Sequence, residues 1–142
     1  MASVNSEEIA TALVRRILGG FNSGDVASIV DCFHADVSAE FPFAPPGMPP
    51  LCNGHAAVMA AFQGGRALIA EITITPSKFY WSAHDDVLVV EAQGKGRLPR
   101  GTEYNNSYVF LVGVRDGSVI LWREYFNSLI ILRALEAEAA AG

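Results

Sequence analysis

The chain has 142 residues and a mass of 15.2 kDa, which is enough for one domain with a hydrophobic core and too little for two. Hydrophobic residues make up 51% and charged residues 18% of it, so the composition excludes a disordered chain. The formal net charge is −5 and no basic stripe is present, which argues against a nucleic-acid surface. The first residues, Met1–Glu8, are polar and acidic, unlike a signal peptide, and every apolar run is too short to cross a bilayer. We therefore expect a cytoplasmic protein without a membrane segment.

The first half of the chain predicts three helices. Apolar residues recur every four positions over Asn5–Phe21, as in an amphipathic helix, and Gly24 is a typical stop. The segment Asp25–Phe33 predicts a second, shorter helix, capped by Ser23 or by Asp25 itself. The segment Asn53–Phe62 predicts a third helix, rich in alanine and apolar on most sides, which favours burial.

Strand patterns dominate the rest of the chain. The segment Val37–Phe43 alternates and then runs into a proline-rich loop, which predicts one short strand. Four long segments rich in β-branched and aromatic residues predict an antiparallel meander, and these are Ile72–Trp81, Val87–Gly96, Thr102–Arg115 and Ser118–Asn127. A final helix is predicted over Leu129–Ala139. The organisation is therefore α+β, with one domain over residues 1–142.

The predicted strands carry apolar residues at consecutive positions, for example in Val87–Val90 and Val119–Trp122. An antiparallel sheet with one wet face alternates instead, so continuous runs indicate that both faces are covered. The helices can cover one face, and a second copy of the chain is the simplest cover for the other. We therefore predict a homodimer that forms through the sheet.

Five short motifs carry a family resemblance: Phe21–Asp25, Asn53-Gly54, Tyr104–Phe110, Arg115–Val119 and Arg123–Asn127. With the order of the predicted elements, they resemble the nuclear-transport-factor-2-like fold and, within it, the SnoaL-like group. The stretch from Tyr104 to Asn127 is most similar to the phenazine-biosynthesis A/B type proteins. The resemblance implies a cone-shaped, curved antiparallel sheet wrapped around N-terminal helices. It also implies a deep apolar cavity, open at one end, that takes a small hydrophobic molecule.

Glu124 is the candidate catalytic residue. It lies in a strand that is otherwise apolar apart from Arg123, and a period of two places it on one face with Trp122 and Phe126. Enclosure between these rings would raise the pKa of the carboxyl toward neutrality, where it can both donate and accept a proton. In the phenazine-type relatives, an acidic residue at the matching place is the proposed acid catalyst. The alternatives are an ion pair at the cavity rim and a contact with a dimer partner.

Several polar and aromatic residues are candidates for holding a substrate. A buried amide at Asn106 would need partners, which a ligand can supply. His55 opens the third helix, where the helix dipole disfavours the charged imidazole. Each of these predictions has an alternative. Asn106 and Tyr108 could instead contact a dimer partner, and His55 could be a solvent-exposed residue at the helix cap. The aromatic rings could belong to the hydrophobic core. The predicted substrate-binding residues are Asn106, His55, Trp122, Phe126, Phe41 and Tyr108.

Departures from the relatives limit the reaction. Ketosteroid isomerisation needs an aspartate base together with a tyrosine and a protonated aspartate as donors. Alignment through Asn22–Asp25 places apolar residues at those three positions, namely Ile17, Phe41 and Val109 or Phe110, so we exclude that reaction. The histidine and serine that the phenazine-type proteins carry on the third helix fall near Ala61 and Gly65.

These observations predict a small, cofactor-free SnoaL-like protein that binds a hydrophobic cyclic metabolite. Proton transfer through Glu124 would make it an isomerase, a cyclase or a dehydratase. The two cysteines, Cys32 and Cys52, and the three histidines show no metal-ligand spacing, so neither a metal nor a cofactor is predicted. The alternative is a non-catalytic module that uses the same fold to bind a small molecule or to dimerise.

Overall fold

The computed structural model describes residues 5–142, so the first four residues of the polar N-terminal segment lie outside the described part. The described residues form three α-helices, a short 3₁₀-helix and six strands. In chain order these are α1 (Ser6–Ser23), the 3₁₀-helix (Val26–Cys32), β1 (Phe33–Glu40), β2 (Leu51–Asn53), α2 (His55–Ala67), β3 (Glu71–Ser82), β4 (Val87–Arg97), β5 (Glu103–Arg115), β6 (Ser118–Phe126) and α3 (Ser128–Ala140). The strands make one open, curved sheet in the order β2-β1-β6-β5-β4-β3. The predicted α+β class is confirmed.

The predicted meander is present as three long antiparallel pairs, β3–β4, β4–β5 and β5–β6. Its tight turns contain the residues that tolerate a left-handed backbone, since Asp116 and Gly117 have φ angles of 53° and 77°. One neighbour pair departs from the antiparallel prediction, because β1 runs parallel to β6. The chain crosses from β1 through α2 and the meander before it returns, which allows this orientation.

The region that follows α1 differs from the predicted helix over Asp25–Phe33. Its centre is a seven-residue 3₁₀-helix and β1 begins already at Phe33. The predicted cap is also wrong, because Asp25 makes no side-chain cap and the Ser23 hydroxyl donates to the Gly20 carbonyl instead. A short segment forms few α-helical hydrogen bonds, and these do not offset the backbone entropy that helix formation costs. Short connecting segments therefore often adopt the tighter 3₁₀ form.

The first strand is shifted toward the N-terminus relative to the predicted Val37–Phe43. The chain leaves the sheet at Phe41, whose backbone N–H donates to the carbonyl of Pro50 at 2.8 Å. This contact closes the proline loop and brings Leu51–Asn53 back as strand β2, antiparallel to β1. Strand β2 has only three residues and directly follows two prolines, so no periodic pattern announced it.

Helix α1 covers one face of the sheet, here called the inner face, and fully buries Ala10, Val14 and Ile17. Helix α2 buries only Val58, Met59 and Phe62, so the expected burial on most of its sides is wrong and its alanines largely face outward. Helix α3 buries only Ala134. Among residues 5–142, no helix is both long and apolar enough to cross a membrane.

The opposite face of the sheet, here called the outer face, explains the consecutive apolar residues. Alternate positions fill the inner face, and the positions between them form a half-buried apolar group. This outer patch consists of Val87, Val89, Val109, Leu111 and Leu121. Beside it, Arg123 and Glu40 form an ion pair. Glu40 therefore points away from the inner face, as the alternation of its strand indicated.

Candidate functional site

Glu124 lies on the inner face of β6 among aromatic residues from three strands or their ends. Phe110 of β5 is its direct cross-strand neighbour. On the other edge of β6 lies β1. The register of these two strands aligns Glu40 with Arg123, so the next residue of the chain, Phe41, lies beside Glu124. Trp122 and Phe126 flank it at a spacing of two residues. The four aromatic residues around the carboxyl are Phe41, Phe110, Trp122 and Phe126, each at most 9% exposed.

The indole of Trp122 holds one oxygen of this carboxyl. Its Nε1–H donates to Oε1 of Glu124 at 3.0 Å. Three rings from other elements surround the indole, with centroid distances of 4.9 Å to Phe110, 5.6 Å to Phe62 and 6.5 Å to Phe33. Such aromatic contacts restrict the orientation of the indole, so the direction of the hydrogen bond is set by the core.

The surroundings of Glu124 shift its protonation toward neutral pH. Burial raises the pKa of the carboxyl to about 7, against the opposing effect of the Trp122 hydrogen bond, which favours the charged form. Within residues 5–142, Glu124 forms no ion pair, and Arg123 binds Glu40 on the outer face. The residue as a whole is only half-buried, so part of it keeps contact with solvent. Such a carboxyl can donate a proton and take one back near pH 7.

Asn106 lies further along the same face and is 3% exposed. Its Nδ2 donates to the Tyr104 hydroxyl at 3.0 Å and to the Asn127 carbonyl at 3.1 Å. Its Oδ1 accepts from the backbone N–H groups of Ser107 and Asn127, at 2.8 Å and 3.1 Å. A side-chain amide has two donors and two acceptor positions, and the protein uses all four. Asn106 is thus buried, but it joins β5 to the start of α3 and has no capacity left for a ligand.

Tyr108 completes this polar group on the inner face. Its hydroxyl lies 3.2 Å from that of Tyr104, and its ring stacks on Phe110 with centroids 5.7 Å apart. A side chain at Gly94 of the neighbouring strand would come within 2.8 Å of the tyrosine ring, so glycine leaves the space that the ring needs. Burial raises the pKa of both tyrosines above the ordinary value, so both hydroxyls are neutral near pH 7.

His55 lies apart from this group, at the start of α2. Its Nε2 is 2.6 Å from the carbonyl oxygen of Val30, at the end of the 3₁₀-helix region. Because a carbonyl only accepts, Nε2 must carry the hydrogen in this contact. The ring therefore ties α2 to the preceding segment, and the described contacts of Glu124 and of the buried tyrosines do not include it.

The sequence analysis missed the rings that support the indole, above all Phe110. A signal existed, because Phe110 continues the two-residue spacing of Tyr104, Asn106 and Tyr108 along β5. Phe33 and Phe62 are far from Trp122 in sequence and meet it only in the folded chain. Within the described part of the chain, no group of three or more His, Cys, Asp or Glu side chains could hold a metal ion.

The deep cavity implied by the resemblance stays a prediction. An open groove lies between α1 and α2 and is lined by residues that include Asp25, Gln63 and Arg66, and another follows the outer side of α1. Glu124 lines neither of them. The aromatic rings described above fill much of the inner face next to the carboxyl.

Comparisons with known proteins agree with this fold and with the motifs. Residues 14–122 match the family model described as the SnoaL-like domain. An uncharacterized PhzA/B-like protein of Pseudomonas aeruginosa is 30% identical over 141 residues, which cover 97% of this chain and 95% of that protein. The crystal structure of a putative isomerase from Bacillus subtilis is 27% identical and has a TM-score of 0.85, over 94% of this chain and 96% of that one.

A more distant structure, TerC co-crystallized with polyporic acid, is 20% identical, covers 90% of this chain and 98% of its own, and has a TM-score of 0.77. At that identity the likeness shows the fold alone. The family model and the PhzA/B-like relative go further, and they confirm the resemblance drawn from the motifs. The chain belongs to the SnoaL-like family.

Proposed function

We propose that this protein is an acid–base enzyme that needs no cofactor, binds a hydrophobic cyclic molecule beside Glu124 and catalyses an isomerisation, cyclisation or dehydration. The observation that carries the proposal is the carboxyl of Glu124, which is enclosed by aromatic rings, is still reachable from solvent and has a pKa raised to about 7. At neutral pH such a group is ionised in one molecule and protonated in the next. It can therefore start a reaction as base or as acid and be restored within the same cycle.

The reaction class follows from what one carboxyl can do. As carboxylate, Glu124 takes a proton from a carbon of the substrate, and as the acid that results it returns the proton to another carbon, which is an isomerisation. In a dehydration, the acid protonates a hydroxyl that leaves as water, and the carboxylate then takes a proton from the adjacent carbon as the double bond forms. In a cyclisation, the acid protonates an oxygen whose bond to carbon breaks as a hydroxyl of the same molecule attacks that carbon, and the carboxylate takes the proton of the attacking hydroxyl. The surrounding rings limit the contact of the carboxyl with water, which strengthens its electrostatic interaction with a bound substrate.

Burial along the inner face indicates where the substrate enters. Tyr104 and Tyr108 are 4% and 6% exposed, whereas Glu124 keeps clearly more solvent access. In the proposal, a flat apolar molecule enters beside Glu124 and rests against Phe41, Trp122 and Phe126. Tyr108 offers a neutral hydroxyl at the inner end. Asn106 takes part by holding the Tyr104 hydroxyl, and His55 holds the start of α2.

The proposal is tested by titration and by turnover. A ¹³C NMR titration of the Glu124 carboxyl is expected to give a midpoint near pH 7, and a midpoint near the ordinary value of 4.5 contradicts the proposed proton transfer. Binding is measured by quenching of Trp122 fluorescence in a Trp81→Phe background, with polyporic acid, the molecule bound by TerC, as first probe and cyclic ketones and alcohols as further ones. For a compound that the wild type converts, Glu124→Gln is expected to keep binding and to lose conversion.

The alternative function is a module that binds a small molecule, or only dimerises, without chemistry. The filling of the inner face by Phe110, Trp122 and their neighbours favours it, because a filled interior leaves little room for a substrate. It predicts that probes either do not bind or bind and are recovered unchanged from the wild type. It also predicts that Glu124→Gln changes neither the binding of a probe nor the dimer.

We further propose that two copies pair through the outer patch. Its five apolar residues are only half-buried in one chain, and Phe43 and Leu51 near the same face are 59% and 51% exposed. An apolar face of this kind gains free energy when a partner removes it from water.

Leu111 lies in the centre of the outer patch, so Leu111→Glu buries a charge in the proposed interface. Light scattering at micromolar concentration is expected to show a dimer for the wild type and a monomer for this variant. Gln63→Glu adds the same charge at an exposed position of α2, away from the outer face, and is expected to leave the dimer intact. A monomeric wild type refutes the pairing.

A further inference from the structure

We infer that Trp122 is a positioning residue that occupies one oxygen of Glu124, so that the other oxygen, Oε2, carries and transfers the proton. The catalytic part of this inference rests on the proposed function. The hydrogen bond itself is supported by the geometry alone. It gives Trp122 a role different from that of a wall residue, since the indole acts through Glu124 and need not touch a substrate.

The assignment of the two oxygens follows from the chemistry of the indole. An indole N–H donates a hydrogen bond and cannot accept one. At 3.0 Å from Nε1, Oε1 is therefore the acceptor whether Glu124 is ionised or protonated. In a carboxylic acid the carbonyl oxygen is a better acceptor than the hydroxyl oxygen, so the indole favours the form in which the proton resides on Oε2. Among the hydrogen bonds of residues 5–142, none involves Oε2, so this oxygen is the one left for a substrate.

The indole is held in place by contacts that do not depend on Glu124. Trp122 is 1% exposed and lies between Phe110 of β5, Phe62 of α2 and Phe33 of β1. Rings from three further elements thus oppose a rotation that would break the hydrogen bond. A group that is oriented before the substrate arrives costs no reorganisation during the reaction, which is the usual reason to build a catalytic carboxyl into a packed core.

Few other groups compete for control of the carboxyl. From β5, Tyr104 and Tyr108 share its face as neutral hydroxyls. Beside it at the end of β1 lies Phe41, and helices α1 and α2 bury only apolar residues. Arg123 is turned to the outer face, where it pairs with Glu40. Of the contacts described, the indole N–H is therefore the one that stabilises the charged carboxylate, and burial opposes it.

The first test uses the wild-type protein. In ¹⁵N–¹H NMR spectra, the indole Nε1–H resonance of Trp122 is expected to shift with the same pH midpoint as the carboxyl of Glu124, because the acceptor changes its charge. The indole of Trp81 serves as internal control and is expected not to follow that midpoint. If the chemical shift of the Trp122 indole does not change with the titration of Glu124, the inference is wrong. This test needs no variant protein.

The second test compares two variants. Trp122→Phe removes the donor and keeps a ring, and it is expected to raise the midpoint of Glu124 by about one pH unit, since a hydrogen bond to the charged form is lost. Phe110→Leu loosens the same cluster but keeps the donor, and it is expected not to raise the midpoint. A midpoint in Trp122→Phe equal to or below that of the wild type overturns the inference.

The two proposals fail in different ways. If the wild-type carboxyl titrates near 4.5 but the Trp122 resonance follows it, the proposed acid–base function is wrong, while the hydrogen bond by which Trp122 orients the carboxyl stands. If the carboxyl titrates near 7 and the indole does not respond, the function stands and the positioning role is wrong.

Discussion

Replacing Glu124 with glutamine is expected to stabilise the folded protein by about 2 to 3 kcal/mol at pH 8 and to leave its stability at pH 4 nearly unchanged. Glutamine has the same shape and its Oε1 can still accept the hydrogen bond from Trp122. It carries no charge at either pH. The substitution therefore removes the cost of burying a carboxylate and little else.

The sign of this effect follows from the direction of the pKa shift. The pKa of Glu124 is about 7 in the folded chain and close to 4.5 in the unfolded one. Between these values the folded chain holds one proton more than the unfolded chain, so the free energy of unfolding falls as the pH rises through this window. Each pKa unit corresponds to about 1.4 kcal/mol, and partial exposure of the side chain keeps the total below the full product.

Urea denaturation of the wild type and of Glu124→Gln at pH 4 and pH 8 measures this difference directly. Glu136→Gln is the matched control, because it changes an exposed glutamate of α3 in the same way and is expected to shift stability by less than about 0.5 kcal/mol. Equal stability of the wild type and Glu124→Gln at pH 8 means that the carboxyl is fully hydrated, and the proposed site is then wrong.

Above pH 7 the buried carboxylate of Glu124 lowers the stability of the fold, and a functional role would explain why a glutamate is present at this position. Among residues 5–142, no cation forms an ion pair with Glu124 that could compensate for its burial, and the nearest arginine in sequence, Arg123, is engaged on the other face. A glutamine at this position would fit the same rings and keep the hydrogen bond from Trp122 at lower cost. Natural proteins keep such costs mainly where a site requires them.

Features set by local alternation could be predicted from the sequence. The long strands, their turns and the shared face of Trp122, Glu124 and Phe126 follow from a period of two, which acts within a few residues. The order of the elements followed from the same patterns and, together with the motifs, led to the family resemblance. The same alternation placed Asn106 on one face with Tyr108, and the structure shows that this face is the interior, where Asn106 is 3% exposed.

Features that depend on contacts between distant segments could not be predicted. Asn106 meets Asn127, 21 positions later, only because of the register between β5 and β6 and the turn that starts α3. His55 meets Val30, 25 positions earlier, and β2 exists only because β1 offers a free edge. Composition and spacing contain no information on these partners. The sequence analysis therefore treated the amide of Asn106 and the ring of His55 as available for a ligand.

Replacing Asn106 with alanine is expected to lower the free energy of unfolding by about 2 to 4 kcal/mol. The change removes four hydrogen bonds, so the Tyr104 hydroxyl and the backbone of Ser107 and of Asn127 lose their contacts with the amide. Because Asn127 caps α3 through its own side chain, we also expect the backbone amides of α3 to exchange faster with solvent.

The adjacent residue provides the control for this prediction. Asn105 points to the other face of β5, is exposed and donates only to Glu103, so Asn105→Ala is expected to change stability by less than about 0.5 kcal/mol. Urea denaturation compares the two variants with the wild type, and hydrogen exchange reports on α3. If the Asn106 amide were held in reserve for a ligand, its loss would weaken binding and leave the fold unaffected. A large loss of stability in the absence of any ligand therefore distinguishes the joining role of Asn106 from the ligand contact that its burial first suggested.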